Sequence, residues 1–321
     1  MKQLFVVGPR RSEVREVADL RPGKGEILVK VKYNGVCMSD WHPWATAPGG
    51  GAMPLGHEPL GTVAGTGEGV TQFKTGDRVT GLANTSTLAE YCLINEGSAM
   101  RIPDNVADED AVVEPLSCIV SAASKLRIEK AGDTVASVGV GYMGLGVMTL
   151  LRLQGAGKII AVDPRRAALE NAKRFGADEV YTPDELPAKY KVTEWNDKMW
   201  QQGVGVVSEF TGTQSGLVLA GEMTGIHGTL GMGGWHHDGP RTLDIGMWGW
   251  KAFTAINTHE RRNDFQVACC RNALDMLSKG VWNFKGVSDH IYKLSEYDRA
   301  NEELAAKKEN IIKSLIRCDL T

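Results

Sequence analysis

The segment from Thr134 to Asp178 constrains the fold more than any other part of the chain. TVASVGVG is an apolar run that reads as a buried strand, and GLGVMTLLRLQG as a helix stopped by a glycine. KIIAVD reads as a second strand, and RRAALENAKRFGAD as an amphipathic helix with its own glycine stop. The alternation continues through VGVVSEF, SGLVLAGEM and GTLGMGG, with KAFTAIN as a further strand. Strands alternating with helices pack as a parallel sheet covered on both faces. The expected fold class is therefore α/β, with a doubly wound parallel sheet.

Within that segment VASVGVGYMGLG holds Gly139, Gly141 and Gly144 in a GxGxxG frame between a strand and a helix. The first glycine permits a tight turn, the second lets the backbone approach a pyrophosphate, and the third allows close helix–strand packing. Alone, such a turn is as compatible with binding nothing. Asp163 ends the next apolar strand, 19 residues beyond Gly144. An acid there accepts hydrogen bonds from ribose hydroxyls and repels a 2′-phosphate. Together they point to a dinucleotide, and Asp163 favours NAD over NADP. Arg165 and Arg166 either neutralise a phosphate or form a solvated first helical turn, and the second reading is the simpler one. The candidate cofactor contacts are Gly139, Gly141, Tyr142, Met143, Gly144, Asp163, Arg165 and Thr211.

The first ~120 residues read as short strands with glycine-rich turns, as in EILVKVKYNGV and LAEYCLI, with APGGGAMPLG as a loop. Two stretches there carry chemistry. GVCMSDWHPW contains Cys37, Ser39, Asp40 and His42, and GHEPLGTVAGTGEGV contains His57 and Glu58. Zinc accepts sulfur, nitrogen and oxygen donors together, and a catalytic site keeps three protein ligands and an open position. Taken singly, Cys37 reads as a small buried hydrophobe and His57 as a satisfied core histidine. Neither CxxC nor HExxH occurs, so the ligands of any metal must come from separate segments. The six cysteines are scattered, which argues against a disulfide framework and for a reducing, cytoplasmic setting. A net charge of −3 without a basic block gives no reason to expect nucleic acid or an anionic membrane. The apolar run LFVV near the N-terminus is too short for a signal-peptide core, and no stretch approaches the ~18 apolar residues of a membrane span.

In their fixed order these motifs resemble the zinc-dependent medium-chain alcohol dehydrogenases and reductases, especially the polyol (sorbitol-type) branch. The resemblance covers essentially the whole chain. GHEPLGTVAGTGEGV fits the family's GHExxGxxxxxGxxV signature at Gly56, His57, Glu58, Gly61, Gly67 and Val70. VCMSDWHPW fits C-x-S-D-x-H-x-W at Cys37, Ser39, Asp40, His42 and Trp44. GDRV, VEPL, the glycine turn and Asp163 follow in family order.

The resemblance implies a mainly β GroES-like catalytic domain over residues 1–120 and a Rossmann-type NAD-binding domain over 121–255. Residues 256–321 would return to the catalytic domain. It implies one catalytic zinc per subunit held by Cys37, His57 and Glu114, with Glu58 as an alternative, exchanging ligand or a supporting group. Asp40 would orient a ligand, since metal-binding histidines are usually held by a carboxylate. Cys118, one helical turn past Glu114, is the weaker candidate. Many relatives carry four closely spaced cysteines for a second, structural zinc after the GDRV strand. GDRVTGLANTSTLAEYC has only Cys92 there, so a single zinc is expected.

The implied reaction is hydride transfer between NAD and a secondary alcohol or ketone, on a polyol, sugar or cyclitol. Zinc would act as a Lewis acid on the substrate oxygen. Ser39 and His42 would carry the proton outward, and Glu58 completes the candidate catalytic set. The bland readings of Ser39 and His42 are a turn cap and a surface residue. The adjacent His236 and His237 suit a solvated loop better than one metal ion. In INTHERR, Asn257, His259, Glu260 and Arg261 suit a polyhydroxylated ligand, and equally a helix start with Thr258 as cap. Trp41 and Trp44 offer an aromatic wall. The candidate substrate residues are Trp44, His259 and Arg261, and a homo-oligomer, dimer or tetramer, is expected. Competing readings are a short-chain alcohol dehydrogenase or NADPH-dependent carbonyl reductase of the same fold, and a non-catalytic, zinc-free binding protein. The intact set of Cys37, His57, Glu114, Ser39 and His42 speaks against the last.

Overall fold

Alternation at every second position shapes the first part of the chain. In the computed structural model, which describes residues 1–288, 290–306 and 311–319, β1 (Lys2–Gly8) and β2 (Arg11–Glu16) form a hairpin ahead of β3 (Glu26–Gly35). β3 buries Ile27, Val29 and Val31, the period of two that a half-buried strand requires. After α1 (Met38–Thr46) and the short β4 (Met53–Pro54) come β5 (Pro59–Thr66), β6 (Arg78–Ala83) and β7 (Tyr91–Arg101). β3, β5, β6 and β7 pair antiparallel in that order, and β7 pairs back onto β3, closing the sheet on itself.

α2 (Val113–Lys125) leads into the alternating segment: β8 (Thr134–Val138), α3 (Tyr142–Leu153), β9 (Lys158–Val162), α4 (Arg166–Arg174) and β10 (Glu179–Tyr181). It continues with β11 (Val204–Glu209), α5 (Gln214–Met223), β12 (Thr224–Met232), α6 (Ile245–Lys251) and β13 (Thr254–Asn257). These six strands form one sheet in the order β10-β9-β8-β11-β12-β13, and every neighbouring pair is parallel. The strand order reverses at β8, and the glycine turn leaves that strand's carboxyl end, where open parallel sheets hold their ligands. The α/β class with a separate, mostly β part is what the sequence predicts.

α7 (Asn263–Ser278), β14 (His290–Lys293), α8 (Tyr297–Ala305) and β15 (Ser314–Arg317) complete the chain. β15 pairs antiparallel with β3, and β14 lies parallel beside β15, so the C-terminal strands extend the first sheet. Residues 307–310 of the charged segment YDRANEELAAKKENIIKSLIRC lie outside the described residues. Two compact units result. The first is Met1–Ser117 with Val267–Val281 and Lys285–Thr321, and the second is Cys118–Gln266 with Trp282–Phe284.

One element departs from expectation. KAFTAIN was expected to be a strand from its first residue, but α6 runs to Lys251 and β13 begins only at Thr254. The Asp244 side chain caps α6 by accepting a hydrogen bond from Met247 N at 2.9 Å. Lys251, fully buried, donates to Gly221 O at 2.5 Å and Thr224 O at 2.9 Å, tying α6 to the end of α5. None of the described helices is long and apolar enough to cross a membrane.

Candidate metal centre and dinucleotide turn

Cys37 stands at the N-cap of α1, and its carbonyl accepts the Asp40 N–H at 3.0 Å. That turn places Ser39 Oγ 3.2 Å from the Cys37 sulfur and aims Asp40 at His57, with Oδ1 3.4 Å from Nδ1. His57 and Glu58 enter from the loop before β5. Cys37, His57 and Glu58 each offer one donor atom, and these atoms lie within 4.8 Å of one another. Burial pulls the His57 pKa down. Hydrogen bonds to Asp40 and Cys37, then the charges of Asp40 and Glu58, outweigh it and push the value up to about 12. A sulfur, a nitrogen and an oxygen donor converging in this way is a set that a divalent, thiophilic cation fits.

Glu114, the expected third ligand, lies in the first turn of α2 and is not one of these three converging donors. Glu58, the alternative carboxylate in the sequence reading, is the one among the three. Glu114 remains near enough for its charge to help raise the pKa of Lys313.

Sequence reasoning missed Lys313. It lies just before β15, 255 residues from Glu58, and donates to Glu58 Oε1 at 2.9 Å and to Val36 O at 3.0 Å. The second carboxylate oxygen is 2.6 Å from the ammonium, and the two side chains are 7 % and 1 % exposed, so this is a buried ion pair. Burial lowers the lysine pKa, but the charges of Glu58 and Cys37 hold it above its ordinary value. The pair needs Gly35 beneath it. A Cβ at that position would stand 1.8 Å from Glu58 Oε2 and 3.1 Å from Lys313 Cε.

The glycine turn has the form its sequence predicts. Gly139 takes a φ of +84°, and a Cβ on Gly144 would stand 1.9 Å from Gly139 O, so only hydrogen fits. Gly141 is the N-cap of α3 with no side-chain cap, and the first turn carries no acid. A Cβ on Gly141 would meet only the Arg165 guanidinium, at 3.9 Å. A helix start with no side-chain cap and open space over the second glycine fits a pyrophosphate. Tyr142 and Met143 occupy that first turn. The Thr211 side chain packs at Gly139, held by Glu209, whose Oε1 accepts Thr211 N at 2.7 Å and Gly212 N at 3.0 Å.

Asp163 is buried at the end of β9, with both oxygens engaged. Oδ1 accepts Arg165 N at 3.0 Å and Arg165 Nε at 2.9 Å. Oδ2 accepts Val140 N at 3.1 Å and Arg165 Nη2 at 2.9 Å. Arg165 is thus seated on the acid rather than solvated, while Arg166 pairs with Glu185.

The expected substrate residues separate. Trp44 has no exposed surface, and its indole N–H donates to Asp298 Oδ1 at 2.7 Å, so it is a core anchor with no face left for a ligand. Trp41, on the same helix, is half-buried, and its indole nitrogen has no hydrogen-bond partner among the described residues. His42, His259 and Arg261 are exposed. His259 meets the edge of Trp235, with ring centroids 5.9 Å apart. Glu260 accepts Arg261 N and Arg262 N at 2.8 and 2.9 Å and pairs with Lys125, a structural role ahead of α7. Thr258 donates to Met232 O at 3.1 Å instead of capping α7. His236 and His237 do not share an ion site: His236 faces Glu209 Oε2 at 3.0 Å, and His237 stacks on Trp235.

Residues 23–104 match the alcohol dehydrogenase GroES-like domain family, and residues 139–276 the zinc-binding dehydrogenase family. The chain is 29 % identical to a protein of Aspergillus clavatus described as probable D-xylulose reductase A, covering 95 % of this chain and 92 % of that one. It is 28 % identical to the sorbitol dehydrogenase of Halalkalibacterium halodurans, covering 94 % of each. The fold matches galactitol-1-phosphate dehydrogenase from Escherichia coli with a TM-score of 0.80 at 20 % identity, over 99 % of this chain and 100 % of that one.

Proposed function

This chain belongs to the zinc-binding alcohol dehydrogenase family, and from that premise we propose that it interconverts a secondary alcohol of a polyol, sugar or cyclitol with the corresponding ketone. The observation that carries the reading is the convergence of Cys37, His57 and Glu58 within 4.8 Å. Cys37 and His57 would hold the metal together with Glu58 or Glu114, one carboxylate exchanging for the other. When bound, zinc supplies a Lewis acid that lowers the pKa of an alcohol hydroxyl, and the nicotinamide supplies the hydride acceptor.

The chain's own groups do the rest. Asp40 fixes the orientation of the His57 ring. Ser39, beside the Cys37 sulfur, takes up the substrate proton, and His42, exposed on the same helix, passes it to solvent. Gly139, Gly141, Tyr142, Met143 and Gly144 hold the pyrophosphate at the start of α3, and Thr211 borders the turn. The acid at the end of β9, Asp163, is the group that accepts the ribose hydroxyls when NAD is bound. In the first unit Trp41, unlike Trp44, keeps some surface to offer a sugar-like ring, and His259 and Arg261 are exposed polar candidates within the second unit.

The names of the two relatives, a D-xylulose reductase and a sorbitol dehydrogenase, support a polyol substrate. A dimeric or tetrameric homo-oligomer in the cytoplasm belongs to the same proposal, and the six free cysteines agree with a reducing compartment. The test is a screen of nicotinamide reduction by the zinc-loaded protein against polyols, sugars, cyclitols and simple alcohols. Turnover of the first three classes is expected. Activity confined to ethanol-like alcohols would overturn the substrate assignment.

A further inference from the structure

A carboxylate at the end of the second strand reads the adenosine ribose by accepting its hydroxyl protons, and it offers about four lone-pair positions for doing so. In this chain all four positions of Asp163 are filled. Two donors, Val140 N at 3.1 Å and Arg165 N at 3.0 Å, are backbone groups fixed by the turn and by the start of α4. The other two, Arg165 Nε and Nη2, both at 2.9 Å, belong to a side chain that is 35 % exposed and free to leave. The same guanidinium borders Gly141 in the glycine turn. With Arg165 seated, the end of β9 presents N–H donors where a ribose diol seeks an acceptor.

We propose that Arg165 is an intramolecular competitor for the ribose site: seated on Asp163 it withholds the carboxylate from NAD(H) and offers its remaining N–H groups to the 2′-phosphate of NADP(H). This one side chain then sets the cofactor preference. The inference rests on the dinucleotide reading given above. A guanidinium pairs with a phosphate through bidentate hydrogen bonds between opposite charges, whereas a neutral hydroxyl offers it no opposite charge, so a seated arginine favours the phosphorylated ribose. NAD(H) must displace the guanidinium before Asp163 can accept its hydroxyls. Removing Arg165 therefore acts in opposite directions on the two cofactors. It frees the carboxylate for the diol, and it exposes a negative charge that repels a 2′-phosphate.

The variant is structurally mild. Arg165 is the N-cap of α4, but its side chain makes no capping bond. Binding is read without turnover, by nicotinamide fluorescence for NADH and NADPH and by calorimetry for AMP and adenosine 2′,5′-bisphosphate. For Arg165→Ala the expected result is NADH and AMP bound about fivefold tighter, and NADPH and the bisphosphate about twentyfold weaker, the size of one or two charge-assisted hydrogen bonds. Arg165→Lys, which keeps the charge but loses the fork, should weaken NADPH less than Arg165→Ala does. An NADH-to-NADPH affinity ratio unchanged in Arg165→Ala would overturn the competitor role while leaving dinucleotide binding intact. Failure of the wild-type protein to bind either dinucleotide would overturn the dinucleotide reading itself.

Discussion

Replacing Lys313 with methionine probes the metal centre from its buried side. The ammonium is the counter-charge of Glu58, whose side chain is 1 % exposed, and it also satisfies the Val36 carbonyl. Methionine keeps the length of the side chain and removes both interactions. Taking one partner from a buried ion pair costs about 3–5 kcal/mol, because the other charge stays buried without compensation. In the metal-free protein, urea unfolding followed by circular dichroism should show a loss of that size for Lys313→Met. Combining it with Glu58→Gln should cost less than the sum of the two single changes, with a coupling of about 2 kcal/mol, because the double variant leaves no lone charge. Zinc beside Glu58 supplies positive charge of its own. The loss should shrink when zinc is present, which by linkage means that the variant gains more stability from zinc than the wild type does. A metal-free Lys313→Met within about 1 kcal/mol of wild type, or single costs that simply add, would refute this account of the pair.

Two further outcomes follow from neighbouring geometry. Asp40→Asn removes the charge that holds His57 and should weaken zinc binding about 10–100-fold, measured by competition with a chelating dye; unchanged affinity would show that the 3.4 Å contact does not orient a ligand. Burial pushes the Lys251 pKa from 10.5 down to about 8. Between those values the unfolded chain keeps a proton that the folded protein has lost, so this group makes stability rise with pH across that window, by up to about 3 kcal/mol. Lys251→Met should remove the rise, and identical pH–stability slopes for variant and wild type would contradict the assignment.

Local patterns made much of this legible. The glycine turn, the alternating strands and the Cys37 and His57 segments are all signalled by residues adjacent in sequence, and the structure places them as those signals require. What depends on distant chain was not legible. Lys313 reaches Glu58 only because β15 pairs with β3, and nothing near Ser314 announces that pairing. Trp44 reads as a cleft wall in its motif, but four residues after Asp40 it shares that residue's buried face of α1 and enters the core. The choice between Glu58 and Glu114 rests on how closely each carboxylate approaches Cys37 and His57, which spacing does not fix. α6 was hidden by Gly246 and Gly249, poor helix formers, although Asp244 three residues before Met247 was a readable cap. Asp163 and Arg165 were both visible as candidates, but not that one would occupy the other.

Under the proposed function, Cys37, His57 and Glu58 form a zinc site on which alcohol oxidation depends. The most direct measurement is polyol-dependent nicotinamide reduction as a function of bound zinc, in protein stripped by chelation and then titrated with the metal. Turnover should be absent without zinc, rise in proportion to zinc and level off at one ion per chain, and Cys37→Ala and His57→Ala should remain inactive throughout. Full turnover in zinc-free protein would contradict the claim.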